Sequence, residues 1–202
     1  MTSRVERLDM SNGSFLDVAL SGAQSRSVFR AVAVLFVTVL TIVAAQVSIP
    51  LPFTPVPFTL QPMVVLLGGA ALGARLGMSS QILYLALGIA GLPVFAASPI
   101  LPQGFARLLG PTGGYLMSYP LAAFLTGYLA QRGFDRRYLT SALAMVAGLA
   151  IIFSSGVLWL AFGAHAGLAA AVSTGLIPFI PADIVKVFLA ATVLPAAWRF
   201  LK

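Results

Sequence analysis

From Val28 to Phe200, charged side chains lie almost entirely in the short connections between apolar segments. That pattern leaves few folds open. Crossing ~30 Å of hydrocarbon takes about 20 apolar residues as a helix. Only helices and closed barrels satisfy every backbone group there. Hydrophobic residues make up 59% of the 202 residues and charged ones 8%, with a mean hydropathy of +0.99. A water-soluble domain of this kind would lack polar cover. The chain therefore reads as an all-α integral membrane protein in the bilayer, and no soluble domain fits within it.

Six transmembrane helices are expected, over about residues 28–48, 61–73, 76–92, 113–131, 138–162 and 181–200. Residues 1–27 read as a polar cytoplasmic tail, with Phe15 to Ala23 a candidate interfacial helix. Residues 28–202 form the membrane-embedded domain. The tail is too long and too polar for a cleaved leader. Residues 49–58 carry Pro50, Pro52, Pro55 and Pro57, which rules out a helix there. This loop is apolar and uncharged, so it should fold back onto protein or ligand. Thr59 is the expected N-cap of the second span, with Pro62 in its first turn. Gly69, Gly73 and Gly77 recur every four residues and permit close helix packing. The link 163–178 is Gly/Ala-rich, and His165 is a loop residue.

The basic residues fix the orientation. Arg4, Arg7, Arg26, Arg30, Arg75, Arg132, Arg136, Arg137, Arg199 and Lys202 fall on one side of a six-span topology, and Arg107 alone falls on the other. Both termini are then cytoplasmic. This placement explains the net charge of +7 better than nucleic acid does.

Several chemistries are excluded. There is no cysteine and only one histidine, so Cys- and His-ligated metals are out. Lys186 and Lys202 are the only lysines, and neither belongs to a phosphate-binding P-loop. No serine has a convincing base. Neither enzyme activity nor a cofactor is expected.

What remains is a binding constellation. Asp183 and Lys186 are the only acid and base well inside a hydrophobic segment. An unpaired charge at the bilayer centre costs roughly 2.5–3.5 kcal/mol, so such residues mark function by default. Three apart on a helix, the two share a face and can pair. The bland reading is a structural ion pair. Paired, they leave Arg107 without a carboxylate on its side, and a spare arginine suits an anionic ligand gripped by two parallel hydrogen bonds. An Asp–Lys pair suits a neutral urea or amide head group. Thr112, Gly113 and Tyr115 sit at the same outer end, as does the prolyl loop with Phe53 and Phe58. Gln61 and Tyr84 are polar groups near or inside spans, and Ser98 is a further candidate. For the aromatics, packing is the plainer alternative. For Gln61, Gln81 and Tyr84, interhelical hydrogen bonds are the plainer alternative.

Three stretches resemble the BioY family, the substrate-binding (S) components of bacterial biotin transporters of the energy-coupling-factor type. They are Ile49-Pro-Leu-Pro-Phe-Thr-Pro-Val-Pro-Phe-Thr-Leu-Gln61, Leu109-Gly-Pro-Thr-Gly-Gly-Tyr-Leu116 and Phe179-Ile-Pro-Ala-Asp-Ile-Val-Lys186. Gly88-Ile-Ala-Gly-Leu-Pro-Val-Phe95 is also similar. The resemblance implies a six-helix fold, high-affinity capture of biotin from outside, and location in the bacterial inner membrane. It also implies ligand contacts from Asp183, Lys186 and Arg107. Its expected partners are a transmembrane coupling protein and ATPase subunits. Such proteins often dock the coupling protein through an Ala-xxx-Ala face on the first span. Here that face carries Leu35 and Val39. An S component for another vitamin, a stand-alone proton-coupled carrier using Asp183, and a purely structural membrane protein remain as alternatives.

Overall fold

The computed structural model describes residues 13–19, 26–98 and 101–200. The rest of the expected tail, and Lys202, lie outside the described residues. Helix α1 covers Phe15–Ala19 and α2 covers Arg26–Gln46. A two-residue ribbon follows, β1 (Ser48–Ile49) paired antiparallel with β2 (Phe58–Thr59). Then come α3 (Gln61–Leu72), α4 (Ala74–Ile89), the short α5 (Ala106–Leu109) and α6 (Gly113–Gln131). A 3₁₀ turn at Phe134–Arg136 leads into α7 (Tyr138–Leu158), whose end widens into a π turn at Trp159–Gly163. Helices α8 (Leu168–Gly175) and α9 (Ile180–Phe200) complete the chain.

Each of the six expected spans coincides with one of these helices. Among the described residues, three helical segments are long and apolar enough to cross a membrane: Arg26–Gln46, Tyr138–Gly163 and Ile180–Phe200. The α3–α4 pair is short, as its sequence suggests, and the ribbon sits at the start of α3. Helix α6 is the hub, packed on α3, α4 and α7, while α2 covers α3 and α4, and α9 leans on α7 and α3.

Small residues set this geometry. A Cβ at Gly69 would lie 2.5 Å from the Ala123 carbonyl oxygen, so α3 and α6 touch backbone to backbone. Gly73, at φ +83°, turns α3 directly into α4, a conformation that other residues resist. The expected role of the Gly69, Gly73 and Gly77 series is thus met by close packing.

Some expectations are corrected. Thr59 does not cap α3: the N-cap is Leu60, with no side-chain cap. Thr59 instead pairs with Ser48 in the ribbon, and its Oγ1 accepts a hydrogen bond from the Gln61 amide. The link 163–178 contains α8, because an Ala-rich run favours helix even between Gly residues. The link 93–112 contains α5. The third span begins at Ala74 and ends at Ile89, earlier than expected at both ends. Of the candidate interfacial helix, residues 15–19 are helical.

Candidate functional site

The prolyl loop, the α5 corner and the first turns of α6 and α9 meet around one small cavity of about 50 Å³. Pro181 stands in the first turn of α9, where its missing N–H costs nothing. One turn on, Asp183 and Lys186 point into the cavity wall, 3% and 8% exposed. Lys186 Nζ donates to Asp183 Oδ1 at 2.6 Å and to the Thr59 carbonyl at 2.7 Å. It also lies 3.8 Å from the Phe58 ring centre. The ammonium is therefore held by acceptors on two sides and a π face on a third. Among the described residues no donor reaches Asp183 Oδ2, which leaves that oxygen to accept from a ligand N–H.

At another part of the wall stands Arg107, 1% exposed. Its Nη2 donates to the Ala96 carbonyl at 2.6 Å and its Nη1 to the Pro102 carbonyl at 3.3 Å, while Nε has no partner. No carboxylate forms an ion pair with it among the described residues. Burial pushes the guanidinium below its ordinary pKa, opposed by the nearby Tyr84 and Tyr119. A buried cation of this kind is costly unless an anion arrives. The corner that carries it is fixed from α7: Trp159 Nε1 donates to the Gly110 carbonyl at 2.9 Å, and Ser155 Oγ to the Gly114 carbonyl at 2.9 Å.

Of the other expected residues, Thr112, Tyr115 and Gln61 line the cavity. Thr112 Oγ1 is buried without a partner, a second polar atom awaiting one. Tyr115 donates to the Gly175 carbonyl at 2.7 Å, pinning the end of α8. Gln61 Nε2 donates to the Tyr84 hydroxyl at 2.7 Å, so Tyr84 stands behind the wall and orients Gln61. Phe58 acts through Lys186.

Besides Phe58 and Tyr84, three expected residues do not line the cavity. Phe53 is 59% exposed, at the tip of the loop, where the ribbon turns its side chain away. Ser98 Oγ accepts from the Leu101 amide at 3.2 Å and is not part of the wall. Gly113 offers no surface, because a Cβ there would sit 1.8 Å from the Leu108 carbonyl oxygen; its role is to let the corner close.

Sequence reasoning missed Tyr119, Ile152, Phe153, Phe179 and the Val56–Pro57 edge of the loop. Two of these carried a signal: Tyr119 follows Tyr115 by four residues on α6, and Phe179 precedes Asp183 by four.

A helical membrane protein with a largely apolar cavity, an ion pair in its wall and an uncompensated arginine is a membrane-embedded small-molecule binder. The chain belongs to the BioY family, whose sequence profile matches residues 17–202. It is 44% identical over 147 residues to the probable biotin transporter BioY of Pyrococcus horikoshii, covering 73% of this chain and 82% of that protein. It is 43% identical over 157 residues to the biotin transporter BioY of Thermotoga maritima, covering 77% and 88%. The fold matches a crystal structure of the S-component for biotin from an ECF-type ABC transporter, with a TM-score of 0.78 and 28% identity, over 87% of this chain and 94% of that one.

Proposed function

We propose that this protein captures biotin at the outer face of the membrane and passes it inward as the S component of an energy-coupling-factor transporter. All six helices span the bilayer within residues 28–202, and both termini are cytoplasmic. The supporting observation is the buried Arg107 in the wall of the cavity that also holds the Asp183–Lys186 pair. Biotin carries one carboxylate, an apolar thioether body and a urea-like ring. Arg107 receives the carboxylate, joined by Thr112 Oγ1. Asp183 Oδ2 accepts from a ureido N–H. Tyr115, Tyr119 and the prolyl-loop edge pack the apolar body. Lys186 ties the loop to α9 through Thr59 and pairs with Asp183. A coupling protein and ATPase subunits are the protein's partners in transport.

The test is biotin binding by the purified protein in detergent, with other vitamins as competitors. Saturable binding resisted by a tenfold excess of other vitamins supports the reading. Absence of biotin binding, or displacement by an unrelated vitamin, rejects it.

A second reading, uptake by this chain alone, is favoured by one observation. Leu35 and Val39 are exposed on α2 at the face where small alanines are expected for docking. Biotin uptake in cells lacking the coupling protein and ATPases, abolished on collapsing the proton gradient, would favour it.

A further inference from the structure

One side chain separates the cavity from the lipid-facing surface. Phe153, on α7, lines the cavity and also an open, largely apolar groove between α7 and α9. It is half-buried, with one face toward each space. Two rings brace it: Tyr115, edge to face at 6.5 Å, and Phe179, tilted at 6.4 Å. Both braces belong to the cavity wall. Tyr115 is itself fixed at the Gly175 carbonyl, and a Cβ at Gly156 would lie 2.1 Å from its ring, so it cannot swing toward α7. Behind Phe153 the groove is walled by Leu149, Val157, Leu176 and Ile180, all apolar. The polar ends of the cavity lie elsewhere, at Arg107 and at Asp183.

We infer that Phe153 is a specificity-determining residue that sets the length of ligand the site accepts, by closing the cavity against the α7–α9 groove. This rests on the binding reading above. A ligand anchored by its carboxylate at Arg107 and by its head group at Asp183 has a fixed span. Extra methylenes between the two anchors must bulge sideways. Apolar space into which they can bulge lies behind the Phe153 ring.

The experiment measures Kd for biotin and for homologues whose acyl chain is lengthened by one, two and three methylenes, in wild type, Phe153→Ala and Phe153→Leu. The readout is the Kd ratio of the longest homologue to biotin, which cancels any general loss of affinity. In wild type the ratio should be large. Phe153→Ala should lower it about tenfold or more, and Phe153→Leu by less. Val146→Ala lines the groove away from the cavity and should leave the ratio at the wild-type value. If Phe153→Ala does not fold, Phe153→Leu alone decides. A ratio unchanged by the Phe153 variants, or lowered equally by Val146→Ala, overturns the inference while biotin binding stands. Loss of biotin binding by wild type instead rejects the underlying reading.

Discussion

The Lys186 ammonium meets Asp183, the Thr59 carbonyl and the Phe58 ring at once, and this arrangement decides how the two charged residues differ. Removing the acid's charge leaves Lys186 its carbonyl and its ring. Removing the lysine strands a carboxylate in an apolar wall. Asp183→Asn should therefore weaken biotin binding by about 1.5–3 kcal/mol, the worth of a hydrogen bond to a charged group. That is a rise in Kd of roughly ten- to a hundredfold, with a thermal midpoint close to wild type. Lys186→Ala should also destabilise the fold, by about 3–5 kcal/mol, as breaking one side of a buried ion pair does. Calorimetric titration and thermal unfolding in detergent separate the two effects; equal loss of stability in both variants would contradict this account. Arg107 makes a parallel prediction. Arg107→Ala should weaken biotin roughly tenfold or more and biotin amide far less, since only the acid brings the charge that the guanidinium lacks. Equal losses would remove Arg107 from carboxylate recognition.

At the scale of elements, the prolyl loop is a ribbon clamped to α9 by one lysine. Two ladder residues on each side make a marginal hairpin on their own. The bond from Lys186 to Thr59 fastens the ribbon to a transmembrane helix. Lys186→Met, which preserves much of the side chain's bulk, should speed amide exchange across residues 48–59 while leaving α7 protected. Unchanged exchange in the ribbon would show that the four prolines hold it unaided. These elements also show where the sequence was legible. An all-helical membrane fold followed from uncharged apolar runs set off by arginines. The ion pair followed from two charges three residues apart in such a run. The uncompensated arginine followed from counting charges by side. What could not be read is what depends on contacts distant in sequence. Thr59 looks like an N-cap until Ser48 takes its backbone into a ribbon. Phe53 and Phe58 look equivalent in a prolyl loop, yet one is solvent- or lipid-facing and the other lies against a cation contributed 128 positions later in the chain. Ile152 and Phe153 are two apolar residues in an apolar helix, and only the packing of α6, α7 and α9 shows that they face the cavity.

At the scale of the whole molecule, the beginning, middle and end of the chain converge at the end of the bundle opposite the cavity. Asp183 and Trp198 lie fifteen residues apart on α9, or roughly 22 Å at ~1.5 Å per residue. Around Trp198, Phe15 of α1 packs edge-on at 5.5 Å and Arg136 lies over the ring at 4.9 Å. The indole N–H donates to Asp135 Oδ2 at 2.7 Å. Ser14 and Asp17 cap α1 against each other, and Asp17 pairs with Arg30 at 2.9 Å. Asp135 Oδ1 is buried without a partner. Burial lifts the Asp135 carboxyl above its ordinary range, and the Trp198 N–H, its own backbone amide and the Arg136 charge oppose the shift without cancelling it. A folded state that holds this proton more tightly than the unfolded chain is favoured below the ordinary carboxylate value and loses that advantage as pH rises through the raised one. Asparagine at this position can still accept from the indole and carries no charge to desolvate. Asp135→Asn should therefore be at least as heat-stable as wild type at pH 7.5. Its advantage should shrink as the pH falls toward the ordinary carboxylate range, as the folded wild-type carboxyl takes up its proton. Thermal unfolding of both proteins in detergent across that range is the measurement. A constant difference between them, or one that grows as the solution is acidified, would mean that the buried carboxylate is compensated by Arg136. In that case the junction of α1, α9 and the α6–α7 turn would be held by an ion pair rather than by packing around the indole.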